Sequence, residues 1–445
     1  MDIRDKKILV AGLALSGLAT IKLLRKFNCD ITLSEIKDID LETVRLLQSY
    51  NVKIVKQSEE LFDYGFDLVV KVPGISDYCP FIMGLKARNI PIITEIELAY
   101  NLSKKQHYCA ITGTNGKTTT TTLTYLLLNK VFSKNALLGG NIGKPLCDLV
   151  LEEDLLNKED KYIALEISNA QLINIKEFRP EISVIINLAP DHIDFMNGLE
   201  NYYYSKTKIY ENCKNNDVFL LNIDDELVDN YTKKFSINCK IKTFSLEKEA
   251  DCCLKNGFIC YENNEIIDIS KIKVVGIHNI QNIMVAIMMA KHFNISNEDI
   301  QDVIYNFTGI EHRIEFVKDV EGVKYYNDSK GTNTDATITA LKSFDKNVIL
   351  LIGGYEKGLD MECIKPYLKC VKKIIGFGAC GKRLINDLNF YDATYVEDIP
   401  KAIDLAHLIA KKGDIVLLSP TTSSFDQYTC YEERGEHFKK LVNSL

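Results

Sequence analysis

The most constraining stretch of this sequence is HYCAITGTNGKTTTTTLTYLLL, residues 107–128. An apolar run ends at Thr112, a Gly113-Thr114-Asn115-Gly116 loop follows, and Lys117-Thr118-Thr119 opens a helical pattern. A strand that turns through glycines into a helix is a phosphate cradle. Glycines let backbone N–H groups approach anionic oxygens, and the helix N-terminus adds partial positive charge. Lys117 can then reach the terminal phosphates while the Thr118 hydroxyl holds Mg²⁺. The strict phosphate-loop pattern wants a glycine where this chain has Ile111, so the loop is a shortened variant.

The rest of the chain fits the same architecture. Runs rich in Ile, Val and Leu (KKILVAG, CDITLSE, DLVVKVPG, YIALEIS, ISVIINLA, DVFLLN, NVILLIGG, KIIGFGA, DIVLLSP) alternate with helical patterns, as in parallel sheets covered by helices. Glycine-bearing turns follow such strands at Gly12, Gly113 and Gly353, far apart along the 445 residues. Three α/β domains are therefore expected: 1–102 and 310–445 Rossmann-like, 103–309 a phosphate-loop ATPase-type domain. Asn101 to Lys105 and Thr308 to Arg313 mark the boundaries. Short strands between Asp251 and Val275, with turns at Gly257 and Asn263-Asn264, predict a small subsidiary sheet on the central domain.

A net charge of −7 excludes binding to nucleic acid or an anionic membrane through bulk charge. The thirteen cysteines are odd in number, contain no CxxC pair and sit in a chain too long to need staples, so reduced thiols in a cytoplasmic protein are expected. Ile8 to Ile21 imitates a signal-peptide core but carries Gly12, Ser16, Gly17 and Thr20 and runs into Lys22 without a cleavage site. No run reaches the ~18 apolar residues of a membrane span.

Phosphoryl chemistry needs acidic and neutral groups to hold metal against phosphate charge. Glu166, ending YIALE, and His192, just past VIINLA, each follow an apolar strand, and in open parallel sheets ligands gather at that edge. By spacing alone Lys206, in YYYSKTKIY, reads as a solvated helix lysine beside Lys208. Arg313, after His312, reads as a surface arginine that could also clamp a phosphate.

Nine ordered segments, TGTNGKTTT, ALEISNAQL, NLAPDHIDF, SKTKIY, GIHNIQN, EHRIE, YNDSKGTN, LIGGYEKG and LLSPTTSSFDQYTCYEERGEHF, resemble the Mur ligases, ATP-dependent amide-bond ligases that build the peptidoglycan stem peptide. The short N-terminal domain and the SSFDQY segment most resemble the glutamate-adding branch. The resemblance implies ATP, two Mg²⁺ ions, UDP-N-acetylmuramoyl-L-alanine and D-glutamate as cofactors and substrates, and a soluble monomer. Sequence leaves D- and L-glutamate open, because chirality depends on atom positions in the pocket.

Carried residue by residue, the resemblance implies that Leu15, Ser16, Ser34, Lys37, Gly74, Asn141, Ser168 and Gln171 meet the UDP sugar. Gly113, Thr114, Asn115, Gly116, Lys117, Thr118, Thr119, Asn279, Asn282, Arg313 and Asp328 would meet ATP. Thr118, Glu166 and His192 would hold magnesium, with Lys206 matching a lysine that the family carbamylates. Lys117, Glu166, His192 and Lys206 form the implied catalytic set, and Thr332, Lys357, Ser424, Phe425 and Tyr431 fall where glutamate is held. The chain departs from the family pattern in places: Ser34 and Lys37 stand where a Thr-Arg pair is common, Asn169-Ala170 follow Ser168, Ala189-Pro190 precede Asp191, and Tyr431 replaces a frequent Phe. The rivals are a folylpolyglutamate synthase, a diaminopimelate- or lysine-adding relative, or a silent nucleotide-binding module. Lys357 argues against a second amino group in the pocket, and intact Lys117, Glu166, His192 and Lys206 argue against silence.

Overall fold

The computed structural model describes residues 1–190, 195–235 and 237–445. Two compact units divide it: Met1–Ser270 with Gln281–Ile304, and Lys271–Ile280 with Tyr305–Leu445. Among the described residues the strands form three sheets.

The first unit holds two sheets. In the N-terminal one, strands Lys53–Lys56, Asp30–Glu35, Lys7–Ala11, Leu68–Lys71 and Ile92–Thr94 lie side by side in that order, all parallel. The order reverses at Lys7–Ala11, so a crevice opens beyond its carboxyl end, where Gly12 turns the chain into the helix Ala14–Leu24. In the nine-stranded central sheet His107–Thr112 lies between Tyr162–Glu166 and Ile182–Ile185. This is the second switch point, and the phosphate loop leaves from it. Cys109, Ala110 and Ile111 are fully buried, as expected of an apolar strand covered on both faces.

The helix Lys117–Phe132 begins KTTTTTLT, with five successive threonines of weak helix propensity, yet Thr119, Thr120, Thr121 and Thr124 are buried in it. Their hydroxyls explain how. Thr121 Oγ1 donates to Lys117 O and Thr124 Oγ1 to Thr120 O, each at 2.8 Å, so buried polar groups are satisfied inside the helix.

One expectation is corrected. The strands after Asp251 extend the central sheet instead of forming a subsidiary one: Cys252–Lys255 pairs in parallel with Lys240–Ser245, then Phe258–Tyr261 and Asn264–Asp268 add antiparallel strands. Two-residue turns cause this reversal. Asn256 and Gly257, then Glu262 and Asn263, all have positive φ, the backbone of tight hairpins.

The segment joining the two sheets is itself core. Every residue of Glu95–Asn101 in the helix Glu95–Leu102 is buried. Glu97 accepts hydrogen bonds from Glu177 N at 2.8 Å and Phe178 N at 3.0 Å, and Glu95 accepts one from Cys147 N. Burial pushes the Glu95 carboxyl up to about 7.

The second unit's sheet runs Glu315–Val320, Val323–Asn327, Ile415–Thr421, Val348–Gly353, Val371–Phe377, Ala393–Tyr395. It is parallel except for the Glu315–Val320 edge. No helix among the described residues is long and apolar enough to cross a membrane.

Candidate active site

The loop between Thr112 and Lys117 is built as the residue types require. Gly116 has φ +83°, and a Cβ there would run into the Asn282 amide oxygen. Asn115 N donates to Asn187 Oδ1 at 2.8 Å, Thr114 N to Asn187 O at 3.0 Å, and the Thr114 hydroxyl donates to Ala189 O at 3.2 Å. The loop is thereby clamped to the segment after the neighbouring strand. Thr118 and Thr119 follow Lys117 in the first helical turn.

Three charged side chains meet this loop or its neighbouring strand. Lys117 Nζ donates to Gly113 O and Thr114 O, both at 2.9 Å. Lys206 is not the solvated lysine its spacing predicts: it is 1% exposed, donates to Gly113 O at 2.9 Å and lies 4.7 Å from the Tyr202 ring centroid. Glu166, 2% exposed, ends the adjacent strand and accepts a hydrogen bond from Asn141 Nδ2 at 2.9 Å through Oε1. Its Oε2 is buried and has no hydrogen-bond partner. An orphaned carboxylate oxygen beside a phosphate cradle is a fit to a divalent cation held together with Thr118. Asn282, 2% exposed, accepts from Thr120 Oγ1 at 3.2 Å and so braces the loop from behind. His192 lies outside the described residues.

The residues implied for the UDP sugar stand at the carboxyl edge of the N-terminal sheet and beside it. Leu15 is 76% exposed in the first turn after Gly12, an apolar side chain left open at a crevice. Ser16 accepts from Thr20 Oγ1 through its carbonyl at 2.8 Å. Ser34 is buried with its hydroxyl unpartnered, Lys37 is exposed, and Gly74 is exposed on the turn after Leu68–Lys71. Asn141 N donates to Glu166 O at 2.8 Å. Gln171 Oε1 accepts from Ser168 N at 2.9 Å and Ser168 Oγ at 3.0 Å, closing a capping box on the short helix Asn169–Leu172.

Sequence reasoning missed Glu35, which stands between Ser34 and Lys37. Its carboxylate accepts from Leu13 N at 2.8 Å, Ile36 N at 2.8 Å and Lys37 N at 3.0 Å, joining the two turns of the crevice. Burial opposes its charge, but the Lys37, Leu13 and Ile36 amides hold its pKa below the usual carboxylate range. An acidic residue ending the second strand was the available signal.

In the second unit, Asp328 follows Val323–Asn327 and is fully buried. It accepts from Ser419 Oγ at 2.7 Å and Ile314 N at 3.3 Å, and burial raises its pKa to about 7 against the pull of Ser419 and Arg313. Asn279 Nδ2 donates to Val275 O at 2.7 Å. Exposed Lys357 donates to Thr332 O at 3.2 Å, so these two meet. Ser424 is buried, while Phe425 is 66% exposed on the same turn. Tyr431 opens the helix Tyr431–Ser444 and accepts from Ser329 Oγ through its carbonyl at 2.8 Å.

Arg434 was also missed, although it sits inside the quoted YEERGEHF segment. It is fully buried, and donates to Ser329 Oγ at 2.9 Å, Ser329 O at 2.8 Å and Thr422 O at 3.1 Å. One guanidinium thus ties the turn after Asn327 to the turn carrying Ser424. Burial lowers its pKa to about 10.

A phosphate loop at a sheet switch point, a buried orphan carboxylate beside it and two further parallel sheets define an α/β nucleotide-dependent enzyme. The Mur ligase middle domain family matches residues 111–290, and the Mur ligase, glutamate ligase domain family matches residues 312–422. The chain belongs to the Mur ligase family. The UDP-N-acetylmuramoylalanine–D-glutamate ligase of Geobacillus sp. (strain WCH70) is 36% identical over 99% of this chain and 98% of its own length. Its counterpart of the same name in Alkaliphilus metalliredigens (strain QYMF) is 39% identical over 100% of this chain and 99% of its own. Among solved structures, UDP-N-acetylmuramate-alanine ligase from Thermotoga maritima shares the fold, with a TM-score of 0.56 at 19% identity over 99% of both chains. A pseudomurein peptide ligase type C from Methanothermus fervidus matches with a TM-score of 0.55 at 16% identity, again over 99% of both chains.

Proposed function

We propose that the chain joins D-glutamate to UDP-N-acetylmuramoyl-L-alanine, converting ATP to ADP and phosphate, in the assembly of peptidoglycan precursors. The observation that carries this reading is the buried Glu166 oxygen without a partner beside a loop that Lys117 and Lys206 both touch. Full-length relatives at 36% and 39% identity supply the substrate class.

A carboxylate is a poor electrophile, because an attacking amine would have to expel oxide. It must be activated first. In this reading the alanyl carboxylate of the sugar nucleotide attacks the γ-phosphorus of ATP, forming an acyl phosphate and releasing ADP from the transferred group. The glutamate amine then attacks the acyl carbon, loses a proton, and the tetrahedral species collapses to amide and phosphate. Lys117 and the loop amides hold the phosphates. Magnesium, held by Thr118 and Glu166, would shield phosphate charge, with His192 and a carbamylated Lys206 serving a second ion.

We assign 1–102 to the UDP sugar, through Leu15, Ser16, Ser34, Lys37 and Gly74, with Asn141, Ser168 and Gln171 completing that site. Residues 103–309 take ATP, aided by Asn279 and Asn282, and 310–445 bring Arg313 and Asp328 to ATP and Thr332, Lys357, Ser424, Phe425 and Tyr431 to glutamate. The chain works as a cytoplasmic monomer without a nucleic-acid partner. The test is phosphate release from ATP with sugar nucleotide and Mg²⁺, comparing D-glutamate, L-glutamate and no amino acid. Sustained release only with D-glutamate is expected; release that ignores the sugar nucleotide, or that prefers folate, would refute the reading.

A further inference from the structure

A buried ion pair stands at the carboxyl edge of the N-terminal sheet, away from the phosphate loop. Lys71 ends the strand Leu68–Lys71, and its Nζ lies 3.1 Å from Asp77 Oδ2, with the two side chains 0% and 2% exposed. Lys71 also donates to Ile75 O at 2.6 Å, so the intervening Val72-Pro73-Gly74-Ile75 turn is gripped from inside. Asp77 accepts from Lys86 Nζ at 2.9 Å and from Asn174 Nδ2 at 2.8 and 2.9 Å. Ser76 Oγ donates to Phe195 O at 2.6 Å.

Two of these partners, Asn174 and Phe195, belong to the part of the chain that carries the central sheet. Asn174 lies just beyond the short helix Asn169–Leu172, whose Gln171 carbonyl accepts from Thr94 Oγ1 at 2.9 Å. The turn bearing Gly74 and the segment bearing Ser168 and Gln171 are therefore bonded to one another through Asp77. Buried ion pairs contribute little net stability compared with apolar packing, so geometry is the better account of why charge is placed here. Burial disfavours the charge on Lys71, and Asp77 beside it works the other way.

We propose that Asp77 is a positioning residue for the sugar-nucleotide substrate. By holding Lys71 in its own sheet and Asn174 in the central part, it sets the Pro73-Gly74-Ile75 turn at a fixed place beside Ser168 and Gln171. The identity of that substrate rests on the function proposed above.

Asn174→Ala cuts the link to the central part and leaves the Lys71–Asp77 pair intact, so it avoids stranding a buried lysine. We expect the KM for UDP-N-acetylmuramoyl-L-alanine to rise about tenfold, from the loss of one amide's hydrogen bonding to a carboxylate, with kcat and the ATP KM unchanged. Asp77→Asn should show the same split with a lower melting temperature, and the exchanged pair D77N/N174D, which returns a carboxylate to the site, should recover most of the loss. A folded Asn174→Ala with native KM, or one losing kcat alone, would overturn the proposal. Amide exchange across Gly74–Asp77 in the substrate-free chain gives a readout independent of the reaction: faster exchange in Asn174→Ala supports the positioning role, and unchanged exchange overturns it. Failure of the native chain to turn over would count against the substrate reading alone.

Discussion

In the proposed reaction Glu166 concentrates the chemistry into one side chain. One carboxylate oxygen is satisfied by Asn141, and the other is buried without a hydrogen-bond partner, which is why the proposed reaction places a cation there. Glu166→Gln keeps the shape and the Asn141 contact but removes the charge. It should lower kcat by about a hundredfold or more and raise the Mg²⁺ concentration needed for half-maximal phosphate release. Native magnesium dependence in that variant would remove Glu166 from the metal site. Away from the site, Glu181 is held at about 2 by hydrogen bonds from His107 at 2.6 Å and His292 at 2.9 Å. The sign follows from linkage. A depressed carboxylate stabilises above its unfolded value of ~4.3 and loses that contribution as pH falls towards its folded value. The His107 pKa is raised, chiefly by the same hydrogen bond, so its share is complete below ~6.5 and disappears as pH rises through the raised value. Glu181→Gln should therefore cost most near pH ~5.5, about 1–2 kcal/mol after discounting for exposure, and less at either extreme. A melting-temperature difference that does not vary with pH would contradict this.

At the scale of elements, the strand, loop and helix around residues 107–128 were legible because each local choice agrees: apolar strand, glycine loop, lysine and threonine at a helix start. Gly116→Ala tests how tightly that loop is made. The added Cβ meets Asn282 and the backbone stays at positive φ, so the variant should lose about 1–2 kcal/mol of stability and bind ATP more weakly, measured by melting and by nucleotide titration. An unchanged ATP affinity would show that the loop relaxes. Glu35, Arg434 and the Lys71–Asp77 pair were not legible, although all lie in quoted or neighbouring segments. Each acts through backbone or side chains far along the chain, as when Arg434 reaches Ser329 and Thr422, and one-dimensional spacing does not encode such distances. Lys206 shows the same limit: helical spacing predicts solvent, while the fold buries it against Gly113. The Asp251–Val275 segment is legible as short strands with turns at Gly257 and Asn263-Asn264, but periodicity does not say which sheet edge a hairpin joins.

At the scale of the molecule, the N-terminal and central sheets each reverse strand order at one strand: Lys7–Ala11 beside the implied sugar-nucleotide residues, His107–Thr112 at the phosphate loop. The alternation of apolar strands and helices foretold that class, while the antiparallel edges follow from local turns. In the proposed reaction a carboxylate of the sugar nucleotide is activated by phosphoryl transfer before glutamate attacks. Mass spectrometry of the reaction run with heavy-oxygen label in the alanyl carboxylate tests it directly. The expected result is a product carrying one added glutamate, formed from the D-isomer, and one labelled oxygen in the released phosphate. Unlabelled phosphate alongside product would contradict an acyl phosphate, and labelled product made equally well from L-glutamate would contradict the substrate assignment.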